Sequence, residues 1–352
     1  MHVLLLAVLL AAPPQRGAGR APNFAVTPAQ RDQLLADVEA KLRSDYVFPD
    51  KLDALLPKLR ARWKGAAFEK LADAHALVDH LDADLREVFH DGHLNVRLAA
   101  SLPPGMFEDP DKDDPAFTAQ MEAFDRRSHF GVVKAEILPG NVGVLELRSF
   151  ALKSPGQSQA YAAAMSFLKD TEALIIDVRH NGGGDGEAVA DLAGYFLEKK
   201  TLLQWDVPRN GPQREHFSAA AVEGPRYGAA KPVYVLTSND TFSAAEECAY
   251  DLQTQKRALV VGEHSGGGAN HNRFFRVGDG FALSVPYMAT KNAVTGINWE
   301  GTGVPPDVKV PAADALKAAH KLALEKQLAS EQDPRRKAML QDLVSGREPA
   351  RH

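Results

Sequence analysis

The chain has 352 residues, 45% of them hydrophobic and 25% charged, which is enough to bury a sizeable core and suggests about two domains. A formal net charge of -5 with no dense basic run points away from nucleic acid as a partner. One cysteine, Cys248, excludes an internal disulfide framework, and its place among Glu246, Glu247, Ala249 and Tyr250 in a helical pattern marks it as a buried structural residue.

Val3 to Ala12 is an apolar run closed by Pro13 and Pro14. A membrane-spanning helix needs roughly 20 such residues, so this half-length run reads as the core of an export signal. Ala11, Ala12, Ala18 and Ala21 offer cleavage points, while a buried N-terminal strand or helix is the alternative. The expectation is a signal over residues 1–21 and a mature protein exported to the periplasm or outside the cell, with no stable membrane insertion after its removal.

Residues 22–90 read as an N-terminal helical domain. Thr27, Pro28 and Gln30 form an N-cap with Pro at the first helical position and a capping box. Leu34, Leu35, Val38 and Leu42 follow at helical spacing, Leu52 to Leu59 mark a second helix despite Pro57, and Ala74 to Phe89 a third. Asn95 to Leu98 reads as a strand. Residues 101–128, with Pro103, Pro104, Pro110 and Pro115, read as a loop or linker.

Strands and helices then alternate, as an α/β core requires: Val142 to Leu147, Gln157 to Leu168, Leu174 to Val178, a helix from Glu187 to about Lys199, Val233 to Leu236 and Leu259 to Val261. Arg273 to Val277 and Phe281 to Tyr287 are expected to pair across Gly278-Asp279-Gly280. The core spans 91–311, and a charged helical segment, broken at Asp333-Pro334, occupies 312–352.

Chemistry has three candidate places. In Thr237 to Glu246 a serine, Ser243, follows a buried strand and opens a helix, where the next backbone N–H groups can meet an oxyanion. The same Ser243 and Glu246 fit an S-x-x-E capping box, which needs no catalysis. In Asp177 to Asp185, Gly182, Gly183 and Gly184 allow bare N–H groups to approach a ligand; a plain tight turn is the bland reading, and neither phosphate-binding glycine motif is present. In Asp91-Gly92-His93, His93 is a candidate base, with His180, His264 and His271 as rivals. Glu263, His264 and His271 have no diagnostic metal-ligand spacing, so neither a metal nor a cofactor is expected.

Together these segments, with Leu138 to Gly143 and Glu300-Gly301-Thr302-Gly303-Val304-Pro305-Pro306-Asp307, resemble the tail-specific protease family. That family holds the C-terminal processing peptidases and the tricorn core protease. The likeness runs from about residue 30 to 325, in the branch containing interphotoreceptor retinoid-binding protein modules. It implies an α/β (α+β) fold: an N-terminal helical domain plus a crotonase-like ββα core. It also implies a serine peptidase acting on peptides or protein C-terminal tails through Ser243 as nucleophile, His93 as base, Glu300 as acidic member, and the Ala244 and Gly183 N–H groups as oxyanion donors. Two departures stand out. The stretch Gly262 to Ala269 holds no lysine for a Ser-Lys dyad, and residues 99–130 are too few for a PDZ domain. Because retinoid-binding relatives share the architecture, a non-catalytic binding module for apolar ligands of retinoid or fatty-acid type is the alternative. Arg97, Arg273 and Lys291 are the basic residues considered for a substrate carboxylate.

Overall fold

The computed structural model describes residues 21–102, 104–107 and 115–347, so the signal reading over 1–21 falls almost wholly outside the described residues. In chain order the elements are α1 (Pro28–Asp45), α2 (Leu52–Arg62), α3 (Ala66–Glu69), α4 (Ala74–Phe89), β1 (Asn95–Leu98), α5 (Pro115–Arg127), β2 (Val132–Leu138), β3 (Val142–Leu147), α6 (Pro155–Leu168), β4 (Ala173–Asp177) and α7 (Gly186–Gly194). They continue with β5 (Leu202–Pro208), β6 (Arg214–Phe217), β7 (Val233–Thr237), α8 (Ala244–Thr254), β8 (Leu259–Gly262), β9 (His271–Val277), β10 (Phe281–Asn292), β11 (Val308–Lys309), α9 (Ala315–Ser330) and α10 (Pro334–Val344). The fold is mixed α/β, with an N-terminal helical region and a sheet core. Among the described residues no helix is long and apolar enough to cross a membrane.

Two sheets organise the molecule. The larger has the order β11-β8-β7-β4-β3-β2, parallel except for the antiparallel edge strand β2. Its inner strands β3, β4 and β7 are buried on both faces, and alternate residues feed opposite cores. Leu145, Ile176 and Val235 face α6, α7 and α8, whereas Val144, Ile175 and Leu236 face α9 and α10. Ala315, Ala319 and Ala323 recur every fourth residue along α9, so the helix lies on the sheet without large side chains between.

The second sheet is antiparallel, and the long strand β10 is its spine. Phe281 to Ser284 pair with both β9 and β1, and Met288 pairs with both β9 and β5. Strand β9 therefore runs along one edge of β10, and β1 and β5 share the other. The turn Gly278-Asp279-Gly280 joins β9 to β10 in the register Phe281 to Val277, as the alternation predicts. Helices α1, α2 and α4 bury Leu34, Leu42, Leu56, Leu77, Leu81 and Leu85 against Phe281, Leu283 and Val285 of this sheet. The expected cap of α1 is present, with Gln30 N–H donating to Thr27 Oγ1 at 3.3 Å and Thr27 N–H to Gln30 Oε1 at 3.0 Å.

Two expectations change. Residues 115–127 are helical, not loop: Phe117 and Met121, one turn apart, bury with Leu102, Met106 and Phe274, and Pro115 occupies the first helical position, which tolerates it. Helix α7 stops at Gly194, short of Lys199, where Ala219 and Val222 pack against the glycine. The hairpin β5–β6 was unassigned from sequence; Asn210-Gly211 lies in its turn, with Gly211 at φ 102°.

Leu81 is fully buried between the helices and the antiparallel sheet. Leu81→Ala should therefore cost about 2–5 kcal/mol of unfolding free energy, read from urea midpoints. A loss under about 0.5 kcal/mol would mean the helical region packs otherwise.

Candidate active site

Strands β8, β7 and β4 are neighbours in the parallel sheet, and their carboxyl ends deliver the segments Ser265–Ala269, Ser238–Ser243 and Asn181–Gly184 to one place. Open parallel sheets bind ligands at that end. The α4–β1 connection brings in His93 from the antiparallel sheet, and the β10–β11 connection brings in Glu300.

Ser243 stands at the sharp turn from β7 into α8, with φ 55° and ψ -125°. That is a sparsely populated backbone region for a non-glycine residue and costs on the order of 1–3 kcal/mol. Its hydroxyl lies 3.0 Å from Nε2 of His93. Its N–H donates to Glu246 Oε2 at 2.8 Å, one arm of the capping box foreseen from sequence, while Glu246 N–H donates to the Ser243 carbonyl at 2.8 Å.

Glu246 does more than cap. Its buried carboxylate also accepts N–H bonds from Gly267 (2.7 Å) and Gly268 (2.8 Å) and the Ser265 hydroxyl. Ser265 Oγ accepts the Val304 N–H at 2.6 Å. One side chain thus ties the serine turn to the glycine loop after β8 and to the Gly-Val-Pro-Pro stretch. Burial raises its pKa to about 7, against the lowering effect of those donors.

The glycines around the site leave room for Phe242. A Cβ at Gly92 would stand 2.8 Å from its ring, and one at Gly268 only 2.1 Å. The ring lies against the His93 imidazole, centroids 4.8 Å apart, and so limits the imidazole's tilt.

His93 is buried, with Nε2 at the serine and Nδ1 without a hydrogen-bond partner among the described residues. Burial, with a smaller contribution from His271, pulls its pKa down to about 3, so the imidazole is neutral at neutral pH. Glu300 does not bond the ring. It accepts N–H groups from Ala269 (2.7 Å), Asn270 (3.1 Å) and Gly92 (3.4 Å), fixing the backbone beside His93. Asp91, given no role by sequence reasoning, accepts the His93 N–H (3.1 Å), Asn270 Nδ2 (3.2 Å) and the Tyr46 hydroxyl (3.4 Å). Ligand-capable atoms of Asp91, His93 and Glu300 lie within 4.8 Å of one another. Burial raises Asp91 to about 6; burial and then the charge of Asp91 raise Glu300 to about 8.

The Ala244 N–H, first in α8, makes no hydrogen bond among the described residues. Gly183 abuts the serine, since a Cβ there would stand 2.7 Å from Ser243 Cβ, and its φ of 109° suits glycine. Its N–H donates to Asn181 Oδ1 at 2.8 Å. Asn181 is fully buried, its Nδ2 has no partner among the described residues, and its carbonyl accepts the Phe242 N–H at 3.0 Å. Asn181 links the two loops; the signal for it was its place before three glycines.

None of the rival histidines is bonded to Ser243 among the described residues. His180 is half-exposed beside Asp240, His264 is exposed, and His271 Nε2 is 3.4 Å from Asp206 Oδ1. Among the described residues Glu263, His264 and His271 do not gather at metal-ligand distances. Cys248 is buried, and burial pushes its thiol well above the usual range. A cavity of about 640 Å³ opens beside His93, Gly182 and Phe242, and Arg86, Arg97 and Asn272 also line it. Of the three basic residues considered for a carboxylate, only Arg97 lines it. Arg273 pairs with Asp45, and Lys291 is exposed on β10.

The model of peptidase family S41 matches residues 141–310, and that of the N-terminal domain of peptidase S41 in eukaryotic IRBP matches residues 25–131. The chain is 32% identical over 151 residues to the carboxyl-terminal-processing protease of Synechocystis sp., covering 42% of this chain and 33% of that one. It is 28% identical over 183 residues to the carboxy-terminal processing protease CtpB of Bacillus subtilis, covering 51% and 36%. The chain thus spans little more than a third of the length of these relatives. The solved structure of mature CPAF complexed with lactacystin shares the fold at TM-score 0.55 and 13% identity, covering 90% of this chain and all of that one. The tricorn protease does so at TM-score 0.51 and 13% identity, covering 90% and 37%. With models of one family matched along both the helical region and the sheet core, the chain belongs to peptidase family S41.

Proposed function

We propose that this protein is an exported serine peptidase that cleaves peptides or protein C-terminal tails, with Ser243 as nucleophile and His93 as its base. The observation that carries the reading is the 3.0 Å approach of Ser243 Oγ to Nε2 of a neutral, buried imidazole. In the proposed reaction Oγ attacks the peptide carbonyl carbon as its proton passes to Nε2. The oxyanion meets the Ala244 N–H at the N-terminus of α8 and the Gly183 N–H, for which it competes with Asn181 Oδ1. Collapse expels the amine, which takes the proton from His93, and water then releases the acyl group by the same path. Glu300 and Asp91 act on the backbone around His93, as positioning residues.

The cavity wall weighs against the alternative of a carrier for apolar ligands. Asp82, Arg86, His90, Asn95, Arg97 and Asn272 suit a peptide backbone and its charges better than a retinoid or fatty-acid chain.

The first test is labelling of the mature protein by a fluorophosphonate probe. Wild type should label, and Ser243→Ala and His93→Ala should not, with circular dichroism unchanged. A wild type that stays unlabelled beside a reactive control hydrolase sinks the peptidase reading.

Gly183→Ala should slow labelling roughly 10²–10³-fold, the loss expected for one oxyanion donor, because the new methyl meets Ser243 Cβ at a positive φ. Labelling at the wild-type rate would remove Gly183 from the site.

The pH profile follows from the lowered histidine. Lowering the pH inactivates the base only when the imidazole takes up a proton, and burial defers that to about pH 3. The acid limb of the labelling rate should therefore lie below pH 5, well under the ordinary histidine value of about 6.5. An acid limb at the ordinary value would contradict the burial of His93.

A further inference from the structure

We propose that Asp91, His93 and Glu300 form a binding site for one zinc-class divalent cation, and that its occupancy switches the catalytic serine off. The binding half stands on geometry alone; the inhibitory half rests on the Ser243–His93 reading above.

One ring nitrogen of His93 and one oxygen of each carboxylate lie within 4.8 Å of one another. Tetrahedral zinc, with bonds of roughly 2.0–2.2 Å, holds its ligands about 3.4 Å apart, so shifts of about an ångström would close the set. An acidic pair alone would mean little, but His93 adds a second and independent feature. The side chain is only 6% exposed, and its Nδ1 is buried without a donor or acceptor.

The surroundings resemble a ligand shell more than a plain ion pair. Each carboxylate is oriented by three donors: Asp91 by the His93 N–H, Asn270 Nδ2 and Tyr46 Oη, Glu300 by the Gly92, Ala269 and Asn270 N–H groups. Metal-ligating carboxylates are held in this way. Among the described residues no Lys or Arg ion-pairs with either carboxylate, and Lys51 acts on Asp91 only through its field, so two buried acids face each other with no fixed cation between them. A dication supplies that charge and gives Nδ1 a partner. One imidazole nitrogen with two carboxylate oxygens suits zinc rather than calcium or magnesium, which prefer all-oxygen shells. Because Gly92 and His93 line the cavity, an ion has a route in and a water can take the fourth position.

The consequence for the serine is a matter of tautomers. As a base, neutral His93 carries its proton on Nδ1 and offers the Nε2 lone pair to Ser243. Zinc takes the place of the Nδ1 proton and bonds the Nδ1 lone pair, so the neutral ring carries its proton on Nε2, which then donates to Oγ instead of accepting from it. Binding also releases any proton shared by the two carboxyls, as metal uptake by protonated ligands does.

The test uses zinc alone with the Ser243→Ala full chain, titrated in competition with a chromophoric chelator. One zinc per chain is expected, at least tenfold weaker in Ser243→Ala carrying Glu300→Gln, Asp91→Asn or His93→Gln, each checked for native circular dichroism. Absence of stoichiometric uptake, or uptake unchanged by all three substitutions, overturns the site. In wild type, saturating zinc should slow fluorophosphonate labelling at least tenfold, and chelator should restore it. Labelling unaffected by saturating zinc overturns the switch. If wild type fails to label even with chelator, the peptidase reading has failed and the switch with it, while the titration still decides the site.

Discussion

The site depends on one buried carboxylate. Glu246 receives the Ser243, Gly267 and Gly268 N–H groups and the Ser265 hydroxyl, all away from water. Removing it would leave several buried donors without an acceptor, each costing on the order of 1–3 kcal/mol. It would also release the turn that holds Ser243 in a backbone conformation it does not favour on its own. The hydroxyl meets His93 because the strained turn is fixed, and the turn is fixed because Glu246 sits three residues into α8. A capping box, the most ordinary way to start a helix, has here been enlarged into the frame of the site.

The second requirement is that two sheets meet. Ser243 and Glu246 belong to the parallel sheet, whereas His93 hangs from the segment between α4 and β1, which belongs to the antiparallel one. What brings them within 3.0 Å is the helical region packed on β9 and β10, together with Phe242, which reaches between glycines to lie on the imidazole. Tyr46, at the end of α1, reaches Asp91, so the first helix is tied by hydrogen bond to the loop that carries His93. Packing in the N-terminal core is therefore also packing of the Ser243–His93 geometry, and mobility there would be felt first as a lost approach between Oγ and Nε2.

Much of this was legible in the sequence. The strands Val142–Leu147 and Val233–Thr237 announce themselves as apolar runs between turns, and Thr27-Pro28 marks the start of α1 by local chemistry alone. Ser243, His93, Glu300, Ala244 and Gly183 could be named from family likeness. Their spacing could not have gathered them, since His93 and Ser243 are 150 residues apart. The helix Pro115–Arg127 was hidden because proline and aspartate around it mask a period carried by little more than Phe117 and Met121. Asp91 and Asn181 were quoted without a role because their importance lies in partners from distant segments: Tyr46 and Asn270 for one, the Phe242 turn for the other. The run Gly266-Gly267-Gly268 carried no role in the sequence, yet the Gly267 and Gly268 N–H groups bond Glu246 and Gly268 leaves room for the ring of Phe242.

The protons of the site set its stability against its chemistry. His93, ordinarily near 6.5 and here about 3, stabilises the fold fully above its unfolded value, and that contribution is lost as the pH falls toward 3. Asp91, Glu246 and Glu300 run the other way. Burial raises them to about 6, 7 and 8, so they favour the fold while protonated and weaken it as the pH rises through those values. Near neutral pH the imidazole is neutral, as the proposed role of base requires, but the buried carboxyls are then partway through giving up their protons in a place that resists the charge. A fold selected for stability alone would not keep three buried acids around the Ser243–His93 pair. Here the same burial that makes them costly keeps Nε2 unprotonated, and the donors that partly offset the cost — backbone N–H groups from Gly92, Ala269, Asn270, Gly267 and Gly268 — are the ones that fix where the serine and the histidine stand.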